Sequence, residues 1–580
     1  MQRFERQRHV GEDAPVKGQR AGFLRSEDGS LIVFGLFVFL LMAVVAGMAV
    51  DFMRFETQRT RLQSTLDRAI LAASSLDQTA DPEYIVMDYF NKAGLGSFID
   101  ASQINVYEND RLIDDTYAGA PAGSLTSRRV EAAAKMTIGT TFLKFSGIDF
   151  LGAPAAGTAE ESASLTEISL VLDISTSMSW NSASGHSKIY ELRNAAKKFI
   201  NIVLCDPGNP DNTTDCKVEP GTVSVNLIPY SEQVTVGEDL LSSFNATSEH
   251  NYSSCITFDA EDYEVVPITP TQLLQREGDI DPWSGGNNAS DGNRTCRKDA
   301  WREITAVSGD AAALRDAIGD LQASGYTSID VGMKWGAAFL DPAVVPVVTD
   351  LVAANKTDEA YEGRPLDYDI SRSTKVIVLM TDGENTTQHY LYDGFRSGPS
   401  PVWRTKDKVG SSYYYSVYNE STDLYRWDHN GAWEDHPYGT GITQECHDEW
   451  VRTGRWGGYW TEVCEDVPEP GNGAEQMDFA ELWHVKSWSW WERYELNFLP
   501  SPGSSYGNST KNARLHDMCE AAKDQGIRVF TVGFEVNSAS AAVMKDCASG
   551  DGYYFDADGL DLASSFAAIA REINKLRLTN

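Results

Sequence analysis

The chain has 580 residues with 84 acidic against 49 basic side chains, a formal net charge of -35, which excludes a phosphate-binding surface for DNA or RNA because that needs a basic footprint. Hydrophobic residues at 42% and aromatics at 11% suffice to bury a core, so the acidity describes a solvated, self-repelling surface and not disorder. The length exceeds one ordinary domain and implies a main globular unit with smaller segments attached.

Residues 1–30 form a leader carrying Arg3, Arg6, Arg8, Lys17, Arg20 and Arg25, and the positive-inside tendency places it in the cytoplasm. Leu31 to Val50 is an uncharged apolar run, and at 1.5 Å per residue its twenty positions span a hydrocarbon core of about 30 Å. A transmembrane helix is expected over 31–50, retained as an anchor and not cleaved as a signal peptide. Residues 51–79 lack Gly and Pro and carry Leu62, Leu66, Ile70 and Leu71 near helical spacing, which predicts that the helix continues as a juxtamembrane stalk.

Residues 80–165 alternate short polar and apolar runs with Gly/Ala/Pro turns and are expected to form a small strand-rich linker domain. From 166 to 580 the pattern changes. Ile168 to Leu172 is an apolar run, interrupted by Ser169, of the kind buried on both faces of a parallel sheet; Ser187 to Val203 has a helical apolar face, and VSVNLIPYS follows as a strand. Further on, two helices broken at SGYT, the strand TKVIVLMTDGEN, the strand GIRVFTVGFEV and a terminal strand and helix complete an α/β order. The expected fold is a doubly wound, mainly parallel, Rossmann-like sheet, with insertions at about 238–308 and 386–510. The second insertion holds ten of the fourteen tryptophans, including SWSWW at 487–491. Its aromatics form either a small core of its own, braced by Cys446 and Cys464, or a binding surface.

All eight cysteines follow the apolar segment, and none forms a CxxC pair. An even number on one side of a membrane span implies four disulfides in an oxidising compartment, so everything after Val50 is expected outside the cytoplasm. Cys446 is expected to pair with Cys464 and Cys519 with Cys547; Cys205 with Cys216 and Cys255 with Cys296 follow by proximity, although order alone does not settle connectivity.

The candidate chemistry gathers where ligands bind in an open parallel sheet, beyond the carboxyl ends of the strands. The first strand runs into D-I-S-T-S, offering Asp173, Ser175 and Ser177; the broken-helix loop offers Thr327; the VIVLM strand runs into T-D-G, offering Asp382. All are hard oxygen donors of the kind a divalent cation takes, most suitably Mg2+, with Ca2+ or Mn2+ as alternatives. The plainer alternative is that Asp173, Ser175 and Asp382 cap strand-to-helix turns; Thr327, which capping does not require, favours the metal.

Two resemblances bear on function. The apolar span followed by Asp51, Leu62, Gln63 and the D-x-A-x-LAA run Asp67, Ala69 and Leu71 to Ala73 resembles the N-terminal region of TadE/TadG-like proteins of the tight-adherence (Flp) pilus assembly system. The order of Asp173, Ser175, Ser177, Thr327 and Asp382 is similar to the metal-ion-dependent adhesion site (MIDAS) of von Willebrand factor A (vWA) domains. Together they imply a bacterial single-pass inner-membrane protein that takes part in pilus assembly and surface attachment. Its metal would bind a protein ligand offering an acidic side chain, from the pilus machinery or a surface component. A free-standing surface adhesin or matrix-binding protein is the alternative. Enzyme activity is not expected: an aspartyl phosphatase loop needs a second Asp where Ser175 stands, and no Walker loop or HExxH occurs.

Overall fold

The computed structural model describes residues 28–76, 78–109, 111–114, 118–119, 127–162, 165–206, 208–214, 216, 218–370 and 373–579. The arginines of the leader lie outside the described residues. The chain divides into two compact units, one ending at Ser162 and the other taking up the chain from there to its end.

In the first unit, helix α1 (Asp28–Ala73) runs without a break from the apolar segment through the 51–73 stretch. Among the described residues it is a single helix long and apolar enough to cross a membrane. Over the stretch read as a juxtamembrane stalk the helix is also a core element, because Leu62, Leu66, Ala69, Ile70 and Ala73 are buried. They pack on helix α2 (Pro82–Lys92) and on an antiparallel sheet of β1 (Ile104–Glu108), β2 (Arg111–Leu112), β3 (Ser127–Gly139) and β4 (Phe150–Ser162), in the order β2-β1-β3-β4. The inner face of β3 and β4 is built of small residues, Ala132, Ala134, Ala153, Ala155 and Ala159, so the helix lies close: a Cβ at Gly157 would meet Ile70 at 2.9 Å. Asp81 caps α2 by accepting from the Glu83 amide, and Pro82 occupies the first turn. The strand-rich segment therefore shares one core with α1.

The second unit is built on six strands: β5 (Leu165–Asp173), β6 (Val223–Tyr230), β9 (Thr305–Ser308), β10 (Ser373–Thr381), β20 (Arg528–Phe534) and β21 (Tyr554–Ala557). Their order is β21-β20-β10-β5-β6-β9, parallel throughout except for β9 at the edge. Alternation along the strands divides the core. Leu170, Leu172, Val225, Val378 and Val532 pack against α3 (Lys188–Ile200), α5 (Ala311–Asp320) and α12 (Leu562–Thr579). Val171, Ile228, Ile377 and Val529 pack against α6 (Ile329–Ala338), α10 (Asn508–Asp524) and α11 (Ser538–Cys547). Helix α6 sits tight on the sheet because two of its residues lack a Cβ. One at Gly332 would meet the Tyr230 ring at 2.7 Å, and one at Gly336 would meet Val171 at 2.5 Å. Helix α7 (Val345–Ala353) follows α6 and leads toward β10.

The first insertion, with α4 (Glu238–Leu241) and the ribbon β7 (Ile256–Thr257) and β8 (Gln275–Arg276), ends earlier than expected. Thr305–Ser308, included in 238–308 by the sequence, is the edge strand β9, whose four residues are too few and too mixed to show a period. The second insertion opens and closes on the ribbon β11 (Gln388–Leu391) and β19 (Gly503–Tyr506). Within it, β12 (Pro399–Thr405), β13 (Tyr415–Asn419), β14 (Leu424–Trp427), β15 (Trp433–Glu434) and β18 (Ala474–Asp478) form a five-stranded antiparallel sheet. Helices α8 (Phe479–Val485) and α9 (Trp488–Trp491) bury Trp483, Trp488, Trp490 and Trp491 in a separate core, joined by Ile280 from the first insertion.

The two disulfide positions expected to brace that core do not lie in it. Cys446 and Cys464 pair across β16 (Ile442–Arg452) and β17 (Gly458–Pro468), a two-stranded hairpin exposed along most of its length. Disulfides also join Cys205 to Cys216, Cys255 to Cys296 and Cys519 to Cys547.

Candidate functional site

Strand β5 delivers Asp173 at its carboxyl end, and the loop that follows folds back on it. The Asp173 carboxylate accepts from the Ser175 amide at 2.8 Å and from the Thr381 hydroxyl at 2.7 Å. Ser175 Oγ and Ser177 Oγ lie 3.0 Å apart, and Ser177 donates to Asp382 at 2.6 Å. Residues 205 positions apart in the chain thus meet at one sheet end, because β5 and β10 are adjacent and parallel. Asp173, Ser175 and Asp382 are buried and Ser177 is partly exposed.

Thr327 is placed next to this cluster by a different set of contacts. The loop before α6 is tied to the β5 exit by Ser324 N to Ile174 O at 2.8 Å and Thr176 N to Gly325 O at 2.8 Å. Thr327 itself is buried, with its amide donating to the Thr386 hydroxyl at 2.8 Å and its carbonyl accepting from the Thr386 amide at 2.9 Å. Asn385 caps the first turn of α6 by accepting from the Ile329 amide at 2.7 Å. Among the described residues no hydrogen bond joins the Thr327 hydroxyl to Asp173 or to either serine. The structure therefore brings Asp173, Ser175, Ser177 and Asp382 into one hydrogen-bonded group and holds Thr327 on the adjoining loop.

The electrostatics of the group are unbalanced. Burial first, and the charge of Asp382 second, push the Asp173 carboxyl well above the usual carboxylate range. The cation within reach is Lys188, at the first position of α3, whose ammonium donates to Asp382 Oδ2 at 3.1 Å and lies 3.8 Å from Glu535. Glu535 has a positive φ of 52°, in the region non-glycine residues seldom occupy, and accepts from the amides of Ala183 at 2.7 Å and Gly559 at 3.1 Å. Lys511 of α10, fully buried, reaches the Thr327 carbonyl at 2.7 Å and the Ser328 hydroxyl at 2.6 Å, and burial lowers its pKa to about 8.

Sequence reasoning missed Lys188, Thr381, Lys511 and Glu535. Thr381 stands directly before Asp382 in T-D-G and could have been found there, whereas a lysine at a helix start carries no signal of its partner. The donor set is all oxygen: two carboxylates and two hydroxyls in contact, a third hydroxyl residue alongside, and at Asp173 a carboxyl that burial and the charge of Asp382 press toward its protonated form. Such a set fits a hard divalent cation. Among the described residues no group of three or more His, Cys, Asp or Glu gathers that could hold a metal ion in another way.

Aromatic residues from the insertions border the site. Trp283 stacks on Tyr326, next to Thr327, with ring centroids 3.7 Å apart, and its indole donates to Glu232 at 3.0 Å. His389 meets Trp283 edge-on at 4.7 Å. A Gly-Ser-Ser-Tyr-Gly string at 503–507 has the spacing of a hydrolase nucleophile elbow. Ser505, however, lies within β19 of an antiparallel ribbon, opposite His389, and not on a strained turn after a parallel strand. Among the described residues no hydrogen bond joins the two.

Comparison with known proteins gives one family match. Residues 29–76 match the family described as putative Flp pilus-assembly TadE/G-like. No curated protein matches the chain. Among solved structures, the chain is similar to the pilus adhesin SpaC from Lactobacillus rhamnosus GG, at 14% identity over 81% of this chain and 34% of that one, with a TM-score of 0.30. The matched region thus spans about a third of the adhesin's length. It is similar to the vWF domain of the type V pili tip protein Mfa5 from Porphyromonas gingivalis, at 14% identity over 72% and 97% of the two chains, TM-score 0.28. It is also similar to a von Willebrand factor type A protein from Catenulispora acidiphila, at 10% identity over 69% and 83%, TM-score 0.14. Likeness of this size does not define the fold, which rests on the strand order given above.

Proposed function

We propose that this chain is a non-enzymatic, membrane-anchored binding protein of Flp/Tad-type pilus assembly and surface attachment. Residues 31–50 form the anchor, with the N-terminus in the cytoplasm; 166–580 form a doubly wound vWA domain carrying the two insertions. Asp173, Ser175, Ser177, Thr327 and Asp382 hold one divalent cation, Mg2+ before Ca2+ or Mn2+, and an acidic side chain of a protein partner completes its shell. A metal held largely by neutral hydroxyls stays electrophilic, so it draws a carboxylate even to a strongly acidic protein. The TadE/G-like match over 29–76 supports the pilus assignment, and the four disulfides support an extracytoplasmic location for the second unit.

The observation that carries the site is the Ser177 to Asp382 hydrogen bond, which joins the loops after β5 and β10 into one oxygen cluster. Crosslinking in the native cell tests the function, with the parent chain and Asp173→Ala compared with and without a chelator. Pilus components captured by the parent, and lost in both the variant and the chelated sample, are the expected result. Capture insensitive to both treatments would overturn the metal-dependent reading.

The alternative, a free-standing adhesin, is favoured by the β16–β17 hairpin, which carries Trp456, 94% exposed, at its turn. Capture of host or matrix components in place of pilus components would select it.

A further inference from the structure

The loop joining β3 to β4, residues 140–149, is fastened to α1 where the apolar segment ends. The buried Asp51 carboxylate is engaged by the backbone of this loop: its Oδ2 accepts from Thr141 N at 3.0 Å, Phe142 N at 2.6 Å and Leu143 N at 2.9 Å, and its Oδ1 from Thr141 N at 3.1 Å. Arg54, one turn further on, donates to the Thr141 hydroxyl at 3.3 Å. The fastening reaches back into the apolar segment itself. A Cβ at Gly47 would lie 2.3 Å from the Phe142 ring, so the ring rests directly on the helix where glycine leaves room. Gly47 is buried, and Val44 and Met48, on the same helical face, are half-buried, while most of the segment is exposed. Gly47 precedes Val50 by three residues, which along a helix is about 4.5 Å inside the apolar span.

From this anchored position the same hairpin end turns three large apolar side chains outward. Phe145 is 80% exposed, Phe150 67% and Ile148 43%. On α1 at the same end of the apolar span, Val50, Phe52 and Met53 are also exposed. Large exposed apolar groups mark an interaction site, and these stand on the hairpin end that Gly47 and Asp51 fasten to the end of the apolar span.

We infer that the β3–β4 loop is a second membrane contact, with Phe145, Ile148 and Phe150 seated in the interfacial layer of the phospholipid leaflet from which α1 emerges. The inference rests on the reading of residues 31–50 as a membrane span. Lys144 fits the same placement, since its long stem lets the ammonium reach the headgroups while the neighbouring phenylalanines enter the acyl boundary. Asp51 is the positioning residue: by gathering three consecutive amides it satisfies them away from water and fixes the loop at a set height on the helix. The loop would restrict the tilt and rotation of the first unit on the bilayer, which a single helix alone leaves free.

The test uses the full chain reconstituted in phosphatidylcholine/phosphatidylglycerol vesicles. Among the described residues no free cysteine occurs, so one introduced cysteine is a unique labelling position. An environment-sensitive nitrobenzoxadiazole label is placed in turn at Phe145→Cys, Phe150→Cys, Phe37→Cys within the span, and Leu71→Cys. Leu71 is exposed on α1, and lies about 30 Å beyond Val50 by helix rise. Quenching is compared between nitroxide-bearing lipid and aqueous iodide. The expected result is lipid quenching at least twofold stronger at 145 and 150 than at 71, iodide quenching strong only at 71, and deep lipid quenching at 37. Lipid quenching at 37 with iodide quenching at 145 and 150 would overturn the loop contact and leave the anchor standing. Protection of 145 and 150 from both quenchers would mean a protein covers them, and would likewise overturn it. Absence of lipid quenching at 37 would remove the span reading and the inference with it.

Discussion

Removing the Lys188 ammonium is the sharpest perturbation of the candidate site that leaves its oxygen donors in place. Lys188→Met keeps most of the aliphatic stem but leaves Asp382, whose side chain is 0% exposed, without the charge that sits 3.1 Å from its Oδ2. Breaking a buried pair by removing one partner costs about 3–5 kcal/mol, because the remaining charge is stranded. At about 2.1 cal/mol/K of unfolding entropy per residue, a unit of roughly 400 residues should lose about 3–6 °C in melting temperature. All fourteen tryptophans lie between Trp180 and Trp491, so the tryptophan fluorescence of the full chain in nanodiscs reports the second unit alone. Measured in chelator, the variant should melt lower by that amount. Saturating Mg2+ should then recover more of its stability than it adds to the parent, since the ammonium no longer competes for Asp382. A variant as stable as the parent in chelator, or one with an unchanged Mg2+ increment, would refute the reasoning.

Other parts of the structure yield further tests. The β16–β17 hairpin is a two-stranded ribbon, and such ribbons are marginal in water; its disulfide closes an 18-residue separation, worth about 3 kcal/mol of unfolded-state entropy. Replacing Cys446 and Cys464 by serine should therefore abolish amide-exchange protection in 442–468 and leave β5 and β10 protected. Trp490 is fully buried in the insertion core and donates from its indole to Asp428 at 3.0 Å, so Trp490→Ala should cost about 3–5 kcal/mol of local stability, read by hydrogen exchange in β12 to β14. Glu277 is buried, and burial raises its carboxyl from 4.5 to about 7. The native state then holds more protons than the unfolded chain between those values, so stability falls as pH rises through that window, by about 3 kcal/mol for this group. Glu277→Gln should flatten that slope in urea titrations at pH 5 and pH 8; an unchanged slope would contradict the assignment.

The strands that carry the site were the most legible part of the chain. Ile168–Leu172, apolar but for Ser169, and Val376–Met380 read as buried runs because β5 and β10 are covered by helices on both faces. Asp173, Ser175, Ser177 and Asp382 could be placed with them, since a residue at the end of a buried strand has one direction left to go. Lys188, Glu535 and Lys511 could not, because each acts through a partner at least 183 positions away in sequence, and a charge at an element end looks like any solvated charge. The apolar stripe Leu62, Leu66 and Ile70 was visible, but its partner was not. The alanines of β3 and β4 are weak strand formers, and only the packed helix shows why small residues are needed there. The tryptophans of the second insertion differ in burial, which their sequence positions did not reveal. Trp483, Trp488, Trp490 and Trp491 make a core, while Trp450, Trp456 and Trp460 stand exposed on the hairpin.

The central claim is that Asp173, the two serines, Thr327 and Asp382 hold one divalent cation. Titration calorimetry of Mg2+ into the full chain in nanodiscs, parent against Asp173→Ala, addresses it directly. One saturable site per parent chain and its loss in the variant, with the tryptophan-monitored fold retained, is the expected result. Equal binding by the two chains would contradict it and reduce the oxygen cluster to a set of turn caps.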